Sequence, residues 1–225
     1  MNLLGIDTAT ATRAAVLRGD GQAFDRPASQ AESGPHRDHA AKLLPAIASR
    51  LAEAGLDYGD IDAIAVGIGP GGFTGLRIGL ATAIGLARAH GAELRPVSSL
   101  AALAAEGEGA LRLPLIDARR GELFGALYED GIQRWEAFAA APDALVSRVQ
   151  TELGEEARRL VAVGDGSLRF REDLESAGLA VAAPGSMSHA VSALALCRLA
   201  VSVEPVSPEA LIPLYVREPD AIATR

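Results

Sequence analysis

The chain has 225 residues, of which 49% are hydrophobic and 22% are charged, a composition typical of a globular protein with a substantial core. Its formal net charge of −8, with Lys42 as the only lysine, argues against direct binding of nucleic acid, because phosphate-backbone affinity needs clustered Lys and Arg. The single cysteine, Cys197, excludes an internal disulfide, and no apolar run reaches the roughly 18 residues of a membrane span, so we expect a cytoplasmic protein without a membrane partner.

The first half of the chain predicts three strands, a helix, a strand, a helix, and then one more strand and helix. Apolar residues spaced by three and four predict the first helix over residues 36–54, and Pro45 marks either a kink in it or its true start near Leu44. Thr74 is the predicted cap of the second helix. The predicted elements are strands within residues 2–10, 12–21 and 22–28, helix 36–54, strand 61–69, helix 74–90, and a strand and helix within 92–107.

The second half repeats this order, which indicates a duplication. Strands are predicted within 111–121, 121–131 and 132–140, followed by helix 142–154, strand 158–166 and helix 167–178. Ile6-Asp7 is echoed by Ile116-Asp117, and "AVGIG" at 65–69 is echoed by "AVGDG" at 162–166. We predict an α/β fold of two tandem βββαβα lobes, residues 1–100 and a reduced lobe 101–225, with residues of about 207–225 packing back on the first lobe. This plan resembles the actin-like ATPase (ASKHA) superfamily of actin, Hsp70 and sugar kinases.

The segment "GIGPGGFTGLRIG", residues 67–79, lies between a predicted strand and helix and leaves three alternatives open. Gly67, Gly69 and Gly72 match the dinucleotide pattern G-x-G-x-x-G, although the segment does not open the fold as that pattern requires. Backbone amides released by Gly69, Gly71 and Gly72 in front of a helix would suit a phosphate. Alternatively, the glycines only permit a tight turn between strand and helix.

The two helices of the first half carry apolar rows that predict a surface for another protein. In helix 74–90, a row of small residues lies beside a row of larger apolar residues, which would let a second helix approach closely. Packing inside the domain accounts for part of this pattern, but a sheet covers only one side of each helix. The predicted partner contacts on the two helices are His39, Leu43, Leu44, Ile47, Leu76, Gly79, Leu80 and Ala83.

Five motifs, taken together, resemble the bacterial TsaB family, also called YeaZ. They are "IDTAT", "HAAKLLPAI", "AVGIGPGGFTGLRIGLATAIGLA", "PLIDARRGELFGALY" and "LIPLYVRE", and they follow one another from residue 3 to about residue 218. The resemblance implies an accessory role in making N6-threonylcarbamoyladenosine, a tRNA modification beside the anticodon.

The same resemblance implies the partners. They are a TsaD-type paralogue that binds the metal and transfers the threonylcarbamoyl group, a small TsaE-type ATPase, and a second copy of the chain in a homodimer. A separate synthase makes the threonylcarbamoyl-adenylate donor. We expect tRNA to be contacted only indirectly, through the complex.

The residues predict that this chain has no catalytic site and no metal of its own. In TsaD a His-x-x-x-His pair holds the metal, and the matching positions here are Ser99 and Leu103, which are not credible metal ligands. No cofactor is predicted beyond a weak ATP or ADP contact, which would use Asp7, Thr8, Gly69, Gly71, Gly72 and Thr74. The alternatives are a self-sufficient ATP-dependent enzyme and, with less support, a glycopeptidase-like protease, for which Ser98, Ser99 and Cys197 lack activating neighbours.

Overall fold

The computed structural model describes residues 1–25 and 39–217. The predicted helix start at residue 36 and the end of the third predicted strand lie outside these residues. The strands are β1 (Leu3–Asp7), β2 (Arg13–Leu17), β3 (Ala23–Asp25), β4 (Ala63–Gly67), β5 (Glu93–Val97), β6 (Leu111–Arg119), β7 (Glu122–Glu129), β8 (Ile132–Ala140), β9 (Leu160–Val163) and β10 (Ala180–Val181). The helices are α1 (His39–Ala54), α2 (Phe73–His90), α3 (Ser99–Ala105), α4 (Pro142–Leu153), α5 (Asp165–Arg169), α6 (Arg171–Ser176) and α7 (Ala193–Ala200).

The strands form two sheets whose connectivity is identical. The first has the order β3-β2-β1-β4-β5, and the second has the order β10-β9-β6-β7-β8, which is the same order read from the other side. In each sheet the first two strands pair antiparallel and the first and fourth pair parallel. The predicted two-lobed α/β fold is therefore confirmed. The second lobe is the reduced one, since β10 has only two residues and α5 only five.

Helix α1 continues through Pro45 without a break, so the predicted later start near Leu44 is not observed. A proline in a helix removes the hydrogen bond to the carbonyl four residues earlier. That carbonyl belongs to Ala41, and both residues lie on the exposed side of the helix. Water can therefore replace the missing donor.

Three apolar clusters build the core. One lies between the first sheet and helices α1 and α2, and one lies between the second sheet and helix α4. The third lies between the lobes and contains α3 and α7. Helix α3 packs on β6 and β7 of the second sheet, whereas α7 returns to pack on β1 and β2 of the first. The lobes thus share a continuous apolar contact.

Most of the predicted partner contacts are in this core, and that prediction needs correction. Leu43, Ile47, Leu76, Leu80 and Ala83 are at most 5% exposed, and all but Leu76 belong to the cluster under the first sheet. Each of the two helices has one apolar face, and that face packs against the first sheet. The remaining predicted contacts divide: Gly79 and His39 are also buried, and only Leu44 is exposed.

A pair of substitutions on α1 tests this assignment. Ile47→Asp would place a carboxylate in the core, which costs several kcal/mol, and we expect it to unfold the protein or lower its stability severely. Leu44→Asp on the exposed face should change the free energy of unfolding by less than about 1 kcal/mol. Urea unfolding of both variants measures the difference, and equal stabilities would contradict the assignment.

Candidate functional site

The carboxyl group of Asp7 lies at the end of β1 and is completely buried. Its Oδ1 accepts a hydrogen bond from the Ala9 amide at 2.9 Å, and its Oδ2 accepts one from the Ser99 hydroxyl at 2.6 Å. Burial raises the pKa of Asp7 to about 6, and these two hydrogen bonds and the charge of Arg13 limit the rise. In this structure Asp7 joins β1 to the start of α3 and offers no oxygen to solvent.

Gly67, the last residue of β4, makes room for that carboxyl group. A Cβ at this position would lie 2.0 Å from Asp7 Oδ2 and 3.2 Å from Ser99 Oγ. No side chain fits at such distances. The packing of Asp7 therefore requires glycine at the first position of residues 67–72, called here the glycine loop.

Gly71 and Gly72 pack against the turn between β1 and β2. A Cβ on Gly71 would lie 2.6 Å from Ala9, and the Gly72 amide donates to the Ala9 carbonyl at 2.8 Å. A Cβ on Gly75 or on Gly79 would lie 2.2 Å from Thr8. The small residues Gly75 and Gly79 of α2 therefore leave room for the β1–β2 turn. The close neighbour that this row predicts is a part of the same chain.

Thr8 and Thr74 differ in their surroundings. The Thr8 hydroxyl is buried and donates to the Gly75 carbonyl at 2.8 Å. Thr74 is exposed in the first turn of α2, and the residue that caps this helix is Gly72, not Thr74 as predicted. Gly69 has a positive φ of 101°, which favours glycine, and its carbonyl accepts from the Ser99 amide at 2.9 Å.

A cavity of about 290 Å³ lies between the two lobes, beside their apolar contact. The glycine loop, the first turn of α2 and His39 line it from the first lobe. From the second lobe it is lined by Asp117, Arg119 and Asp165, among others. His39 belongs to the inner wall, where its Nδ1 lies 2.9 Å from the Thr12 hydroxyl, and not to an outer helix face as predicted.

The acidic groups of the second lobe are held by neighbouring arginines and by the backbone. The Asp117 carboxylate lies 2.7 Å from a guanidinium nitrogen of Arg169 and 3.1 Å from one of Arg119. Asp165 Oδ1 lies 3.3 Å from the Asp117 amide, and burial raises the pKa of Asp165 to about 6. Sequence reasoning missed Asp165 and Arg169, although Asp165 is part of the "AVGDG" echo that indicated the duplication.

The groups considered for metal binding or nucleophilic chemistry have structural partners. Within residues 1–25 and 39–217, no group of three or more His, Cys, Asp or Glu side chains could hold a metal ion. Ser99 donates to Asp7, Ser98 caps α3, and Leu103 is buried in the interlobe core. Cys197 is completely buried, and burial raises its pKa to about 12.

A protein-family model and known relatives match this chain over most of its length. A family model described as TsaD, tRNA N6-adenosine threonylcarbamoyltransferase, matches residues 33–210. The tRNA threonylcarbamoyladenosine biosynthesis protein TsaB of Escherichia coli is 38% identical over 178 residues, which are 74% of this chain and 72% of that protein. The chain belongs to the TsaB family.

Further relatives agree with this assignment. TsaB of Bacillus subtilis is 34% identical over 131 residues, which are 57% of this TsaB-family chain and 56% of that protein. The solved structure of YeaZ from Pseudomonas aeruginosa superposes with a TM-score of 0.74 at 31% identity, covering 95% of this chain and 99% of that one. The predicted family and its pathway, the biosynthesis of tRNA threonylcarbamoyladenosine, are therefore confirmed.

Among the residues that the structure describes, no helix combines the length and the apolar character needed to span a membrane.

Two glycines of α2 provide a matched test of the packing around the glycine loop. Gly79→Ala should lower the free energy of unfolding by about 1–3 kcal/mol, because the added methyl group collides with Thr8. Gly85→Ala, in the same helix with no atom within 4 Å of the new Cβ, should raise it by about 0.5–1 kcal/mol. Thermal or urea unfolding measures both, and destabilisation by Gly85→Ala together with tolerance of Gly79→Ala would refute the packing.

The buried carboxyl group of Asp7 should make stability depend on pH. Because its pKa is about 6 in the folded chain and 3.8 normally, the folded state binds the proton more tightly, and this group adds stability as the pH falls from about 7 to about 4. Asp7→Asn should therefore stabilise the protein relative to wild type by about 2 kcal/mol more at pH 7.5 than at about pH 4.5. Urea unfolding at the two pH values tests this, and a pH-independent difference would show that Asp7 is not desolvated.

Proposed function

We propose that this chain is a non-catalytic accessory subunit that binds a TsaD-type threonylcarbamoyltransferase and supports its modification of tRNA. The observation that carries the proposal is the complete burial of Asp7 beneath the glycine loop. A carboxylate that binds a nucleotide-bound metal must present an oxygen to the cleft. Here both oxygens accept hydrogen bonds from the protein, and Thr8 and Ala9 lie directly against the glycines.

The second lobe supports the same proposal. Its equivalent acidic residue, Asp117, is paired with Arg119 and Arg169. Loading a metal at this residue would require breaking both ion pairs. Neither lobe thus offers an exposed, unshared carboxylate from the equivalent strand positions.

Calorimetric titration with Mg-ATP tests the non-catalytic part. We expect weak or no binding to the isolated chain, and no ATP hydrolysis. Tight binding that disappears in Asp7→Ala would favour a self-sufficient ATP-dependent enzyme instead.

We place the partner contact on the outer face of α1 and α2, which pack side by side. This face, called here the docking face, consists of exposed small and apolar residues on both helices. Its members are Ala40, Ala41, Leu44, Pro45 and Ala48 on α1 and Ala81 and Gly85 on α2. Leu44 is 49% exposed and has the largest apolar side chain of the docking face. Small side chains let the backbone of a partner helix come close, and low charge reduces the cost of desolvation.

The family model supports a TsaD-type protein as the partner. Because the TsaD model matches most of this chain, we expect a TsaD-type protein to have a related lobe with an equivalent pair of helices. Two related surfaces of this kind can pair about an approximate two-fold axis, and a second copy of this chain could occupy the same face. In this proposal the homodimer and the heterodimer compete. The TsaE-type ATPase and tRNA would join through the heterodimer, since this chain alone carries a net charge of −8.

Leu44→Asp tests the docking face. A charge in the centre of a modest apolar interface without a partner costs several kcal/mol, so association with a TsaD-type protein should fall at least a hundredfold. Light scattering and co-purification measure association, circular dichroism verifies the fold, and Ile132→Asp on the exposed β8 is the control for a surface apolar-to-charge change. Unchanged association in Leu44→Asp would place the interface elsewhere.

A reconstituted modification assay on unmodified tRNA tests the accessory role itself. We expect modification with the TsaD-type partner to require this chain, and to be lost with Leu44→Asp but not with Ile132→Asp. Full modification without the chain would overturn the proposal.

A further inference from the structure

Residues 204–217, called here the C-terminal strap, run along the first lobe after α7 and end on the second. Pro205, Pro208 and Pro213 restrict its backbone, so fewer conformations are lost when it docks. The Val206 amide donates to the Leu94 carbonyl at 2.8 Å and forms an antiparallel bridge beside β5. Leu211 is buried in the first-lobe core. The strap is thus fixed on the first lobe over most of its length.

Near its end the strap contacts the first turn of α2. The Leu214 amide donates to the Ile68 carbonyl at 2.8 Å, within the glycine loop. The Tyr215 ring stacks on Phe73 with 5.6 Å between centroids. The Arg77 guanidinium lies 3.8 Å from the centre of the Phe73 ring, and its Nε lies 3.4 Å from the Tyr215 hydroxyl.

The strap then crosses to the second lobe. A guanidinium nitrogen of Arg217 forms an ion pair with Glu122 at the start of β7. Its other terminal nitrogen donates to the Ala118 carbonyl of β6 at 3.1 Å, and the guanidinium lies 5.7 Å from the Phe124 ring. The backbone of Leu214 is bound to the first lobe, and the side chain of Arg217, three residues later, is bound to the second lobe.

This crossing lies at the interlobe cavity, because Leu214, Tyr215, Val216 and Arg217 all line it. The apolar cluster around α3 and α7 joins the lobes independently. We propose that the strap is a latch: Arg217 ties the second lobe to the first across the cavity, and its release opens the cavity and loosens the first turn of α2. Since α2 carries part of the docking face, the latch would regulate docking, and that consequence rests on the proposed function.

The Arg217 end is the part of the latch that can release. The side chains of Arg217 and Glu122 are 27% and 37% exposed, and ion pairs of this exposure contribute little to stability. The first-lobe end includes buried Leu211 and two backbone hydrogen bonds. Opening therefore separates residues 215–217 from the second lobe and from the first turn of α2, while the strap up to Leu214 stays in place.

Hydrogen exchange of the full chain tests the latch. Arg217→Ala and Glu122→Gln should each speed exchange of the amides of residues 71–75 and 117–119 by several-fold to about tenfold. Glu209→Gln is the matched control, because it removes an ion pair of the strap with Arg88 that stays within the first lobe. Exchange in β1 and β4 should stay at the wild-type rate in all three variants, which verifies the fold.

The outcomes separate the latch from the docking proposal. Wild-type exchange around the cavity in both Arg217→Ala and Glu122→Gln, or equal acceleration in Glu209→Gln, would overturn the latch. Faster exchange together with an altered affinity for a TsaD-type protein would support both the latch and its effect on docking. Faster exchange while wild type and variants all fail to bind that protein would support the latch and contradict the proposed function.

Discussion

The burial of the Asp7 carboxyl group between the Ala9 amide and the Ser99 hydroxyl determines how the first lobe is built around its glycine loop. Gly67 has to lack a side chain so that the carboxyl group fits, and Gly71, Gly75 and Gly79 have to lack one so that the following turn fits. Packing within the chain therefore explains why these positions are glycine, without a bound ligand. They bring α2 against the β1–β2 turn, and the position of α2 in turn determines the outer surface that we propose for the partner.

The sequence predicted the order of strands and helices closely, because periodicity and turn residues are local signals. The two echoes together, in the same order within a repeated pattern of elements, indicate two lobes, and Ile6-Asp7 and Ile116-Asp117 lie in β1 and β6, the equivalent strands of the two sheets. Periodicity also identified the apolar rows of α1 and α2. Periodicity does not show which neighbour covers these rows, so the predicted partner contacts include side chains, such as Ile47, that lie in the core.

The rest of the site depends on contacts distant in sequence, which local sequence patterns do not reveal. Ser99 is 92 residues from Asp7, and nothing near it predicts a hydrogen bond to that carboxyl group. Arg169 and Arg217 join the second-lobe end of the cavity from elements whose local patterns are ordinary. In contrast, the role of Gly67 could have been suspected, because its position at the end of β4 places it beside the end of β1 in a parallel pair.

In the proposed function, the chain contributes a surface and the positioning of its partner to the modification of tRNA, and no carboxylate chemistry. The most direct measurement is the rate of threonylcarbamoyladenosine formation on unmodified tRNA, reconstituted with the partner proteins and with either the wild-type chain or Asp7→Asn. We expect equal rates, because the amide has the shape of the buried carboxyl group and its oxygen can still accept from the Ala9 amide, while its nitrogen would donate to the Ser99 hydroxyl. A variant that folds and binds its partner as the wild type does, yet loses modification, would contradict it.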